Sequence, residues 1–255
     1  MKDHSTFQNE SPVFRDDVFR RMSDNITAQC GVMTVDGTIK KSFVTLLLLL
    51  SSAIFSWVRM GNCSPEVFGG RLLLFSILAL VVYFVAIFKP DTARVTVPLY
   101  ALLEGFIIGS VSWLTEKMFP GVVTQAVMST IGVLAVMLLV YKTGLIRPTE
   151  KFTIVLFTAT LAIGLTYLVN MLITCFGGSG FSFLTSNSTT SIVFSVIVCI
   201  VAALNLILDF EYIRRQSEAE APEQMEWIGA LGLLVTLVWI YIEILRLLTK
   251  LNKRD

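Results

Sequence analysis

Seven apolar blocks separated by short polar stretches organise the chain. They run Ser42–Val58, Leu72–Phe88, Val95–Trp113, Val122–Tyr141, Phe152–Phe176, Ile192–Leu208 and Trp227–Leu248. A helix rises 1.5 Å per residue and a bilayer's hydrocarbon is about 30 Å thick, so roughly 20 residues make one crossing and 17 approach the lower limit. The pattern predicts an all-α integral membrane protein with seven transmembrane helices. Residues 42–251 form the spanning domain, residues 1–41 a polar N-terminal tail, and residues 252–255 a short C-terminal tail. In the tail, Val13, Phe14, Val18, Phe19 and Met22 alternate with Arg15, Asp16, Asp17, Arg20 and Arg21. That segment reads either as a short interfacial helix or as a mobile tail.

Composition agrees with the blocks. Hydrophobic residues are 55% of the 255 and charged residues 15%, where a soluble domain carries about 25% charged. A net charge of +1 offers no field for nucleic acid. The first forty residues contain no apolar core of a cleavable signal peptide. Placing the N-terminus in the cytoplasm puts thirteen basic residues on inside segments and three, Arg59, Arg71 and Lys117, on outside loops. The basic residues Arg246, Lys250, Lys253 and Arg254 oppose that bias at the C-terminal end. A full crossing by the last helix is expected nonetheless.

Several chemistries lack their residues. The four cysteines share no short spacing and His4 is the only histidine, so a zinc site is not expected. A disulfide between Cys63 and Cys175 is a minor alternative. Gly177-Gly178-Ser179-Gly180 matches the GxSG string of an intramembrane serine protease, but no base accompanies the serine; it reads as a glycine-rich turn. Asp209 is the only aspartate near a span, so an aspartyl protease is not expected either. Asn187-Ser188-Thr189 fits a glycosylation sequon in an uncharged loop. Neither an enzyme nor a resident cofactor is expected.

Acids inside the spans are what remain. A carboxylate in hydrocarbon must be solvated, paired or protonated, which makes it a functional candidate. Glu104 lies well inside the third block with no basic residue within a turn, and should face the bundle interior. Asp209, at the end of the sixth block, is either such a group or a boundary carboxylate reaching for water. Glu243 is either functional or simply paired with Arg246, three residues on. Thr236 shares its helix face, and Asn205 stands one turn before Asp209. Asn170 is a further polar residue inside the fifth block. The hairpin from Glu211 to Glu226 is the most acidic stretch, and Pro222, Glu223 and Glu226 suit a helix N-terminus.

The chain resembles the Bax inhibitor (transmembrane Bax-inhibitor-motif) family, and within it the bacterial YccA-like branch. The matching pieces are MTVDGT (33–38), PLYALLEG with Gly109, YKTGLIRPTEKF (141–152), ALNLILDFEYI (203–213) and APEQMEWIGALGLLVTLVWIYIEILRLL (221–248). The resemblance implies two three-helix layers around a central seventh helix. It also implies a pH-sensitive calcium leak, in which aspartates of the sixth and seventh helices pair and a basic residue after the second helix latches them. Asp209 matches the first aspartate, whereas Thr236 stands at the second. The proton-sharing pair is therefore absent or rebuilt from Asp209 with Glu104, and Lys89 or Arg94 is the nearest latch candidate. The expected function is a slow cation leak, with transient Ca2+ on oxygen ligands. The alternative is a non-transporting regulator that binds a quality-control protease or stress-pathway partner through its charged tail and acidic hairpin.

Overall fold

The structure, a computed structural model, describes residues 31–60, 65–146 and 148–253. The apolar segment within residues 1–30, Cys63 and Arg147 lie outside the described residues. Seven long helices follow: α1 Val35–Met60, α2 Pro65–Phe88, α3 Ala93–Met118, α4 Val122–Lys142, α5 Glu150–Cys175, α6 Thr189–Glu218 and α7 Met225–Asn252. All seven are long and apolar enough to cross a membrane. Most exceed their apolar blocks, because hydropathy marks only the part that suits hydrocarbon. Thus α6 continues to Glu218, where i,i+3 and i,i+4 pairs of Glu211 with Arg214 and Arg215, and of Arg214 with Glu218, support it.

α1, α2 and α3 pack as one layer and α4, α5 and α6 as the other, with α7 held between them by α1, α3, α4 and α6. Two buried cores result. One joins α7 to α1, α2 and α3 around Val97, Leu103, Leu231 and Leu234. The other joins α7 to α4 and α6 around Ala126, Leu206, Ile240 and Leu245. In the most apolar window of α7, 67% of residues are buried, against 11% in α5, so α5 presents mainly a lipid-facing surface.

Lipid is as apolar as leucine, so close backbone approach and interhelical hydrogen bonds must hold these helices together. The α1–α3 seam supplies both. Gly105 and Gly109 stand one turn apart and abut the backbone carbonyls of Leu49 and Ala53, where a Cβ would collide. Ser52 and Ser56 donate to the carbonyls of Leu102 and Phe106 at 2.6 and 2.9 Å.

The last helix runs the full length of the bundle. At one end of the bundle, Met33 N donates to Ala221 O (2.8 Å) and Glu223 N to Gly31 O (2.7 Å), tying the chain before α1 to the α6–α7 hairpin. At the other end, Lys250 reaches the first turns of α6. The Gly177–Gly180 turn reading fits as well: Gly177 and Gly180 adopt positive φ (82° and 60°), and Gly178 N returns to Ile173 O, closing the C-terminus of α5.

Candidate functional site

Three groups of acids occupy different environments. At the hairpin end, Glu226 is buried on the first turn of α7. Its Oε1 accepts from Thr34 N (2.8 Å) and Thr34 Oγ1 (2.9 Å), and its Oε2 pairs with Lys41 Nζ at 2.7 Å. Lys41 also holds Glu223 at 3.0 Å and lies over the Trp227 ring. The carboxylate sits directly on Gly37, where no side chain could fit. The MTVDGT and APEQMEW segments are thus two halves of one clamp. Glu211 is neutralised in the same manner by Arg214 (2.7 Å), Arg215 (2.6 Å) and the Tyr141 hydroxyl (3.0 Å). Much of the charge on the hairpin that looked like an acidic docking surface is therefore satisfied internally. The capping segment also carries more than a dipole contact, which the spacing of Pro222, Glu223 and Glu226 alone does not reveal.

Deeper in the bundle, Asp209 faces α7. Its Oδ1 lies against Gly232, the Thr236 hydroxyl stands beside the carboxylate, and its buried Oδ2 has no hydrogen-bond partner. Asp209 is therefore an interior group and not one that reaches for water. Thr236, at the position where the family resemblance places an aspartate, is itself buried. On α3, Glu104 meets the Tyr100 hydroxyl one turn earlier. By helical rise, Glu104 and Thr236 both lie about 17 Å, and Asp209 about 14 Å, from their helix ends on the hairpin side. These acids share a depth, and no base forms a salt bridge with either among the described residues.

A cleft of about 440 Å³ continues from Glu104 toward the opposite end of the bundle, between α3, α5 and α7. Tyr100, Glu104, Tyr167, Asn170, Trp239, Glu243 and Arg246 line it, with Val235, Val238 and Ile242. It brings Glu104 and Glu243 to one space. Glu243 is 1% exposed; its Oε2 accepts from Tyr167 (2.9 Å) and Arg246 (3.1 Å), while Oε1 is buried without a partner. The Arg246 guanidinium stacks over the Tyr167 ring, 4.7 Å from its centroid. Asn170 both lines the cleft and accepts from Phe181 N, so it fixes the turn after α5.

Other candidate residues point elsewhere. Asn205 donates to Thr160 Oγ1 (2.9 Å) and Val201 O (2.8 Å), tying α6 to α5. Lys89 and Arg94 are exposed and form no salt bridge among the described residues. Sequence reasoning missed Lys250, which is buried and donates to Ser195 Oγ at 2.8 Å. With Arg246 engaged by Glu243 and Lys250 inside the bundle, two of the four C-terminal basic residues are not free loop charges. The signal for this was available: both stand on the face of α7 that carries Glu243, at intervals of three and four. Among the described residues no cluster of three or more metal-ligating side chains occurs.

No curated protein matches the chain. A profile of the family described as Bax inhibitor 1 like matches residues 11–253, nearly the whole of it. With its seven membrane-length helices and central α7, the chain belongs to the Bax inhibitor 1 like family.

Proposed function

We propose that the protein is a slow, pH-sensitive cation leak, with calcium the leading ion, of the YccA-like branch, and that it is neither an enzyme nor the holder of a resident cofactor. The observation that carries this reading is Glu104: a carboxylate in mid-span, without a salt bridge among the described residues, opening into the same cleft as the buried Glu243. Hard cations prefer carboxylate, hydroxyl and carbonyl oxygens. Glu104, Asp209 and Thr236, with Tyr100 and Asn170, offer such oxygens along α3, α5, α6 and α7. Protonation of Glu104 and Asp209 removes the negative charge that attracts the ion, so acidification slows the flux. Arg94 and Lys89 remain the proposed latch; reaching Asp209 requires the loop after α2 to move, since both are exposed here. The proposed setting is a bacterial inner membrane with the N-terminus cytoplasmic.

The test is calcium flux into liposomes carrying the purified protein, compared with Glu104→Gln and Asp209→Asn. Flux in the native protein that falls in both variants supports the reading. Flux equal in all three, or equal to that of empty liposomes, ends it.

One observation favours a second reading. The backbone bond from Glu223 N to Gly31 O holds Gly31, which follows directly on residues 1–30 in the sequence, against the α6–α7 hairpin. A membrane protease or stress-pathway regulator bound to that segment would act on α7 without any transport. Deleting residues 1–30 should then abolish partner capture without altering whatever ion flux the protein shows; unchanged capture removes the segment as the docking element.

A further inference from the structure

A second cavity, of about 600 Å³, lies on the face of α7 next to the one that lines the acid cleft. Its walls are α1 and α4, which are not among the helix pairs that pack along each other, and its floor is α3 and α7. We infer that this groove is a site for one acyl chain of a membrane phospholipid.

The first argument is charge complementarity. No charged residue lines the groove. Its polar side chains are Ser112, Thr130, Tyr241 and, at one end, Trp57. Ser112 and Tyr241 hydroxyls bond each other at 2.6 Å, and the Thr130 hydroxyl donates to Ala126 O at 2.8 Å. Short of Trp57, an occupant therefore meets neither a charge nor an open hydrogen-bonding group, and hydrocarbon is the chemistry that fits. The second argument is continuity with the lipid interface. The mouth runs into the outward residues of the walls, Phe43 (62% exposed) and Leu50 on α1 and Ile131 (56% exposed) on α4, which face acyl chains on any spanning arrangement.

Shape decides between a held chain and passing solvent. Along α1 the groove extends from Phe43 to Trp57, about 21 Å by helical rise, enough for a chain from one leaflet of a core about 30 Å thick. Trp57 marks the headgroup end, since tryptophan favours the interface. A chain in the groove is flanked by residues of four helices, whereas a chain lying along an exposed face of a single helix touches one. Dispersion contacts multiply accordingly. Val238 of α7 lines both the groove and the acid cleft, so the chain lies one side chain from the polar space.

The experiment reconstitutes the full chain in phosphatidylcholine vesicles containing a tracer phosphatidylcholine with a diazirine in mid-chain. After irradiation, labelled peptides are mapped by mass spectrometry. Labelling of groove residues on α1 and α4 should exceed that of exposed residues on α2 and α5 by about tenfold, the ratio for a preference near 1.4 kcal/mol. Ile131→Trp, which fills the groove, should return labelling to the α2 and α5 level, and Val127→Phe is a milder filling variant if the first does not fold. Equal labelling on all faces would mean ordinary solvation and overturns the site. An unlabelled groove accompanied by a cross-linked dimer would mean a second copy occupies it, and overturns it equally.

Discussion

Glu226 on α7 is buried and Glu104 on α3 half-buried, yet their surroundings are opposite. Around Glu226 the chain has gathered an ammonium, a hydroxyl, a backbone N–H and a glycine that makes room. Around Glu104 it has placed one tyrosine hydroxyl and an open cleft. A carboxylate surrounded by donors fixes geometry. One left short of donors keeps its capacity for an ion or a proton, at a cost in stability. Acidity alone therefore says little about which residues act; the count of donors around each acid does.

The contrast predicts a graded series. The largest effect should come from Glu226→Ala, which leaves Lys41 without its shortest partner and opens a void beside Gly37. Partial exposure of Lys41 to water moderates the loss, so about 2–3 kcal/mol is expected, read as a lowered melting temperature in detergent. Gly37→Val should cost a similar amount, about 2 kcal/mol, by pushing the carboxylate out of the clamp. If either variant melts like the native protein, the clamp is ornamental and the comparison fails. Tyr167→Phe should cost about 1 kcal/mol, because Glu243 keeps Arg246. Glu104→Gln should be smallest of all in stability, within about 0.5 kcal/mol or slightly favourable, while calcium flux falls. A Glu104→Gln protein as damaged as Glu226→Ala would place Glu104 among the structural acids.

Much of the fold was legible because each span announces itself by a run of apolar residues, and only helices or closed barrels can cross a bilayer. Reading Glu104 as interior was equally direct: no neighbour in sequence was basic. What sequence could not supply was pairing over long separations. Thr34 and Glu226 are 192 residues apart, so a threonine in a polar tail gives no hint of its acid. Asp209 was ambiguous for the same reason, since the choice between water and α7 depends on Gly232 making space opposite it. Asn205 illustrates the reverse error: one turn from Asp209 in sequence, it turns to α5 instead.

The clamp between the chain's beginning and its final hairpin has a consequence for biosynthesis. Residues 31–41 leave the ribosome early, but Glu223 and Glu226 are made only after six helices have been inserted. The α1–α3 seam can close soon, because Ser56 and Phe106 are 50 residues apart. Both cores, however, include α7, so until it arrives the two layers lack their shared centre and Lys41 its counter-charge. Maturation of this bundle is therefore a late, end-to-start closure, and a nascent chain stopped before residue 225 should remain a substrate for membrane quality control rather than a partly working protein.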